Sequence, residues 1–155
     1  MAAQRLEPTE LTGIGVIDDQ HQQIFDLIDA LGEAGQSGHR EHIEAAINSI
    51  VSHTLAHFEF EEELMEQVDY PFLKVHKRLH DHFIQRLADF TQRFDAGENI
   101  AIELQLFLAS WLRSHFSHED KDYSPQVLAE MQGVTNQTIL ADNESWFSRT
   151  LRKIA

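Results

Sequence analysis

The chain has 155 residues, 42% of them hydrophobic, and 26 acidic side chains against 12 basic ones give a formal net charge of −14. That charge argues against nucleic acid, whose binders need a basic footprint, and against an anionic membrane surface. The complete lack of cysteine removes disulfides, thiolate-bound zinc, iron–sulfur clusters and thiol nucleophiles together.

Only 7 Gly and 3 Pro interrupt the chain, which favours long helices in one domain. Residues 1–13 read as an irregular arm punctuated by Pro8 and Gly13. A first helix carries Ile14, Ile17, His21, Ile24, Ile28 and Leu31 at alternating steps of 3 and 4, with Asp18 or Asp19 as its cap and Gly35 to Gly38 as its end. A second, from Arg40 to Gln67, places Ile43, Ile47, Ile50, Thr54, His57, Glu61, Leu64 and Val68 on one stripe. A third starts in its first turn with Pro71 and aligns Phe72, His76, His80, Phe83, Leu87, Phe90 and Phe94 before closing at Asp95-Ala96-Gly97. A fourth, capped by Asn99, aligns Ala101, Leu104, Leu108, Trp111 and His115. Tyr123-Ser124-Pro125 reads as a stop followed by a short helix ending at Gly133. Asn143 caps another, with Trp146, Phe147, Leu151 and Ile154 clustered on it.

The expected fold is all-α: an up-down-up-down four-helix bundle with an N-terminal arm (residues 1–123) and a short helical extension (124–155) that packs on or flanks it. Met1 to Glu10 has no apolar secretory core, and the longest uncharged apolar run, Leu104 to Leu112, is too short to span a bilayer; a cytoplasmic location is expected.

The ten histidines are the informative part of the composition. His21, His57, His76, His80 and His115 all fall on inward stripes, joined by Glu61 one turn after His57. Leaving such groups buried and unpaired would consume a typical net stability of about 5–15 kcal/mol. Metal is the natural partner, since residues at i and i+4 are neighbours on a helix surface. Asp120 lies about 140° round an ideal helix from His115, so it joins the site only if the helix ends or deforms there. His39 sits in a loop, and His42, His53 and His82 each lie beside a stripe. His118 falls past the fourth helix's useful end and is read as outside the site. Glu59, Glu62 and Glu63 read as solvated.

Imidazole mixed with carboxylate suits iron, manganese or zinc. Neither the HExxH pattern nor paired Glu-x-x-His motifs are present. These ligands are too many for one ion. Two octahedral ions sharing both carboxylates and a solvent-derived oxygen would use all five imidazoles and leave one position open for a small molecule such as O2.

At these residues the chain resembles the hemerythrins, specifically the single-domain bacteriohemerythrins. The match runs through Asp19-Gln20-His21, His57-Phe58-x-x-Glu61-Glu62-x-Leu64-Met65, Tyr70-Pro71, His76-x-x-x-His80 and Trp111-Leu112-x-x-His115-x-x-x-x-Asp120-Lys121-x-Tyr123. It is taken to stop before residues 124–155. The resemblance implies two iron ions in an oxo- or hydroxo-bridged centre. His76, His80 and His115 would hold the coordinatively full iron, and His21 and His57 the one with the open position. Glu61 and Asp120 would bridge them. It also implies an O2 pocket of Ile24, Phe58, Trp111, Leu112 and Phe116. Gln20, Glu59 and Asp122 are near enough in sequence to be candidate partners of the ligand imidazoles, and the sequence does not choose among them.

The function so implied is reversible O2 binding without turnover: oxygen transport, storage or local supply. The partners would be dioxygen and an O2-consuming enzyme, and the protein is expected to be a monomer. An alternative is an O2 or redox sensor, or interaction module, read out through the extension. A third reading, a di-iron peroxidase or a protein handling nitric oxide or iron, ranks last because no acid–base dyad flanks the open position and no reductase domain is visible.

Overall fold

The computed structural model describes residues 3–138, with side chains described as far as residue 131. It is all-α: α1 Gly15–Ser37, α2 Arg40–Gln67, α3 Leu73–Asp95, α4 Ala101–Ser117 and α5 Glu119–Thr138, with no strand among the described residues. Connections of only a few residues join α1 to α4, which forces neighbours to run antiparallel. Gly38 makes the first turn in the left-handed region at φ 72°, where a side chain would be strained.

The stripes do what their spacing predicts. Ile24, Ile28 and Leu31 of α1 meet Ile43, Ile47 and Ile50 of α2, Phe83, Leu87, Phe90 and Phe94 of α3, and Leu104, Leu108 and Leu112 of α4 in one buried cluster. A smaller cluster at the other end gathers Ile14, Ile17, Phe60, Leu64, Met65, Tyr123 and Val127. Between them lies a slab of buried polar side chains. On α1 the order Ile17, His21, Ile24 crosses from one cluster through the slab to the other.

Several boundaries differ from the sequence expectation. Helix α1 begins at Gly15, so Asp18 lies in its first turn and reaches back instead of capping: it accepts from the Thr12 backbone N–H and hydroxyl, both at 2.8 Å, and from Gly13 N–H at 3.1 Å. Phe72 precedes α3 and is 61% exposed, because the Pro71 turn carries it off the stripe. Ile100, not Asn99, occupies the N-cap of α4.

The arm is more ordered than its composition suggests. Pro8–Glu10 forms a turn of 3-10 helix, and buried Glu10 accepts from Arg113 of α4 at 2.7 and 2.8 Å.

The largest difference lies after α4. That helix stops at Ser117, His118 takes φ −118° and ψ −78°, and α5 starts at once with Glu119. α5 then runs through Ser124, Pro125 and Gly133 without the expected stop or the end at Gly133. Ser124 is no cap; its hydroxyl donates to the Asp120 carbonyl at 2.7 Å inside the helix. The expected helix from Asn143 and the Trp146–Ile154 cluster lie outside the described residues. No helix among the described residues is long and apolar enough to cross a membrane.

Candidate metal centre

All four bundle helices and α5 contribute to the polar slab. α1 supplies His21, α2 His57 and Glu61, α3 His76 and His80, α4 His115, and α5 Asp120. None of these seven side chains is more than 3% exposed. The break at His118 brings Asp120 in. Without it the carboxylate would point well round the helix from His115; with it, Asp120 Oδ1 lies 3.0 Å from both His76 Nε2 and His115 Nε2. Its Oδ2 lies 3.1 Å from His21 Nε2. Glu61 is central in the same way, with Oε2 3.3 Å from His57 Nε2 and 3.4 Å from His80 Nε2.

The potential ligand atoms fall into two overlapping groups. One is Glu61, His76, His80, His115 and Asp120; the other is His21, His57, Glu61 and Asp120. Within each group the atoms lie within 4.8 Å of one another. Both carboxylates belong to both groups.

The donor set fits metal. Imidazole nitrogens face each other at 3.1 Å in the pairs His21–His57 and His80–His115. Glu61 Oε2, His76 Nε2 and both oxygens of Asp120 are buried without a hydrogen-bond partner, although other polar atoms stand close. They converge on shared points instead of aligning in donor–acceptor pairs. Such burial is costly unless a cation satisfies the lone pairs.

Charge in the slab is strongly coupled. Burial pulls His115 down, but Asp120, Glu119 and Glu61 outweigh it and hold the imidazole up at about 10. Burial likewise opposes His21, and hydrogen bonds and charge from Asp120 and Glu61 raise it. His57 goes the other way because burial wins. Glu61 is held well below the carboxylate range despite its burial, with His57, His21 and His80 as causes. Asp120 is lowered too, against burial and the neighbouring charge of Glu61, by His115 and His21.

Behind the inward nitrogens, the outward ones of His57, His80 and His115 face partners. His57 Nδ1 donates to Gln20 Oε1 at 2.6 Å, which makes Gln20 the candidate that serves. Glu59 and Asp122 are exposed and do not serve. Glu62 does, accepting from His80 Nδ1 at 2.9 Å, and Glu119 Oε2 stands 3.6 Å from His115 Nδ1. The role of Glu62 crosses from α2 to α3 and leaves no trace in helical spacing. Glu119 was legible, being one turn after His115. His118 is exposed, and its Nδ1 turns back to the Ser114 carbonyl at 2.8 Å, away from the slab.

The expected pocket residues wall one side of the slab. Ile24, Phe58, Leu112 and Phe116 are buried, and Trp111 is partly so. Three of them lie flat on imidazoles: Phe116 on His21 with ring centres 3.4 Å apart, Phe58 on His80 at 3.7 Å, and Trp111 on His115 at 4.6 Å.

Comparison with known proteins agrees with this geometry. The hemerythrin HHE cation binding domain matches residues 12–127. The chain belongs to the hemerythrin family. This hemerythrin-family chain is 40% identical to the bacteriohemerythrin of Stenotrophomonas maltophilia over 141 residues, 91% of this chain and 90% of that one. It is 37% identical to the bacteriohemerythrin of Pseudomonas aeruginosa over 142 residues, 92% of this chain and 91% of that one. The hemerythrin of Themiste dyscrita is 32% identical over 112 residues, 72% of this chain and 83% of that one. The crystal structure of wild-type hemerythrin superposes with a TM-score of 0.77 at 30% identity, covering 81% of this chain and 98% of that one. A match over 141 of 155 residues must continue beyond residue 124, so the resemblance does not stop there as expected. Helix α5 crosses that position without a break.

Proposed function

We propose that the chain binds O2 reversibly at a non-haem di-iron centre and so carries, stores or locally supplies it. One observation carries this reading: two ligand groups share Glu61 and Asp120 but differ in imidazoles, three on one side and two on the other. His76, His80 and His115 would hold one iron, and His21 and His57 the other. Glu61 and Asp120 would bridge both. The unequal count leaves a free position on the two-histidine side. When bound, the iron pair supplies the electrons for taking up O2 and recovers them on release.

The chain's own residues do the rest. Phe116 covers the face of His21, and Ile24, Phe58 and Leu112 close the apolar wall around the slab. Such a wall keeps water, protons and anions from displacing what is bound. Gln20 and Glu62 fix the rings of His57 and His80 through their outward nitrogens. Tyr123 OH donates to Glu61 Oε1 at 2.6 Å and so holds the rotation of a carboxylate both ions need. Among the described residues no acid–base pair stands ready beyond these groups, and we read the protein as a binder, not an enzyme.

The test is one gas cycle on purified protein with its iron counted. The protein is reduced anaerobically, exposed to O2, followed by its visible charge-transfer bands and flushed with argon. Two irons per chain and bands that vanish on flushing are expected. Fewer than two irons, or bands that persist after flushing, would overturn the reading.

A further inference from the structure

The partners behind the ligand imidazoles are unequal on the two sides of the slab. On the three-histidine side two of the three imidazoles face carboxylates: Glu62 lies 2.9 Å from His80 Nδ1 and Glu119 3.6 Å from His115 Nδ1. The first is a hydrogen bond; the second is a charge close by but beyond hydrogen-bond length. On the two-histidine side no carboxylate plays this part. His57 Nδ1 meets the neutral carboxamide of Gln20, and His21 Nδ1 is buried without a hydrogen-bond partner.

An imidazole that gives its outer N–H to a carboxylate becomes a stronger base at its other nitrogen. A stronger base stabilises the higher charge on a bound ion. We propose that Glu62 is a positioning residue that, through His80, makes the three-histidine half the electron-rich half of the site. An outer-sphere one-electron acceptor, such as a ferric cyano complex, would then draw its first electron from that half. The acceptor is reduced by the one electron the pair loses. No proton moves, because the Nδ1 proton stays on His80, donated to Glu62. The proposal rests on the reading that both halves hold iron.

Glu62 also links the site to the surface. Its other oxygen lies 3.4 Å from Lys77 Nζ, and exposure rises from 0% at His80 through 22% at Glu62 to 51% at Lys77. Lys77 therefore partly cancels the charge that Glu62 presents to His80. An exposed ion pair of this kind is weak, so its removal should act in the opposite sense and more faintly than loss of Glu62.

The test is a spectroelectrochemical titration of the iron-loaded full chain. Glu62→Gln keeps a hydrogen-bond acceptor and removes the charge. It is expected to raise the first midpoint potential by about 59 mV, a tenfold change for a one-electron couple, and to leave the second nearly in place. Glu62→Asp should restore the wild-type value, and Glu59→Gln, an exposed neighbour, should change nothing. Gln20→Glu puts a carboxylate behind His57 and should lower the second midpoint. If Glu62→Gln loses its iron, Gln20→Glu decides the matter. Two irons bound with neither midpoint moved in these variants would overturn the proposal and spare the di-iron reading. A wild-type chain that fails to hold two irons would sink that reading, and this proposal with it.

Discussion

Tyr123 donates its hydroxyl to Glu61 Oε1 at 2.6 Å, with both side chains closed to water. The bond ties α5 to α2 across the polar slab. Burial, followed by the charges of Glu61 and Asp120, holds the phenol well above its ordinary range, which favours the protonated donor. Tyr123→Phe would keep the ring in its apolar cluster but leave a buried carboxylate oxygen short of its donor. A loss of about 1–3 kcal/mol is expected. Urea unfolding of the metal-free protein would measure it, and a stability equal to wild type would show that the bond contributes nothing net.

Asp120 is the candidate ligand whose place depends on the break between α4 and α5. Asp120→Ala removes a carboxylate shared by both ligand groups and touches no apolar stripe. The variant should keep its helical circular dichroism and load less than half the iron of wild type. Full loading, counted by metal analysis, would remove Asp120 from the ligand set.

Trp111 covers His115 with its ring, is only partly buried and packs on the edge of the core beside Phe83. Trp111→Ser should speed loss of bound O2 to an irreversibly oxidised form by roughly tenfold, which corresponds to about 1.4 kcal/mol off the barrier. Iron content should hardly change. Leu112→Ser probes the same wall less cleanly, because truncating a fully buried Leu costs about 2–5 kcal/mol.

Protons and metal compete for the same imidazole nitrogens. His115 is raised from 6.5 to about 10 in the metal-free slab, against its burial, by Asp120, Glu119 and Glu61. The stability this proton provides is fully present below 6.5 and is lost as pH rises through about 10. Metal affinity has the opposite sense and climbs over the same interval. Ferrous iron added anaerobically near neutral pH should therefore release at least one proton per chain, read with an indicator dye in weak buffer. Uptake without proton release would mean that His115 is already neutral there.

Arg113 carries the arm. It donates to buried Glu10 at 2.7 and 2.8 Å, and its guanidinium lies 4.6 Å from the centre of the Phe25 ring. Arg113→Met would keep the packing on Phe25 and strand the Glu10 carboxylate. The arm should lift, at a cost of about 1–3 kcal/mol since Arg113 is itself partly exposed. Faster backbone hydrogen exchange in residues 7–14 than in wild type is the expected signature.

Helical spacing alone placed His21, His57, Glu61, His76, His80 and His115 on inward faces, because period 3.6 fixes which side of a helix a residue occupies. Short connections fixed the antiparallel order for the same geometric reason. The Glu119 contact with His115 was also within reach, being a one-turn relation. What spacing could not supply was anything set between helices or at a break. Glu62 lies off the stripe of α2 and meets His80 only because α3 packs beside it. Asp120 meets the site only because His118 leaves the helical path, a local conformation that no periodicity encodes. Pro125 suggested a stop, yet α5 continues through it, held by the burial of Tyr123 and Val127 on either side. Residue order and helical period were enough to show which groups face inward and what chemistry those groups can do. Packing between helices settled which carboxylates reach both groups of imidazoles and which imidazoles are backed by charge, since those depend on distances between elements that one helix cannot set.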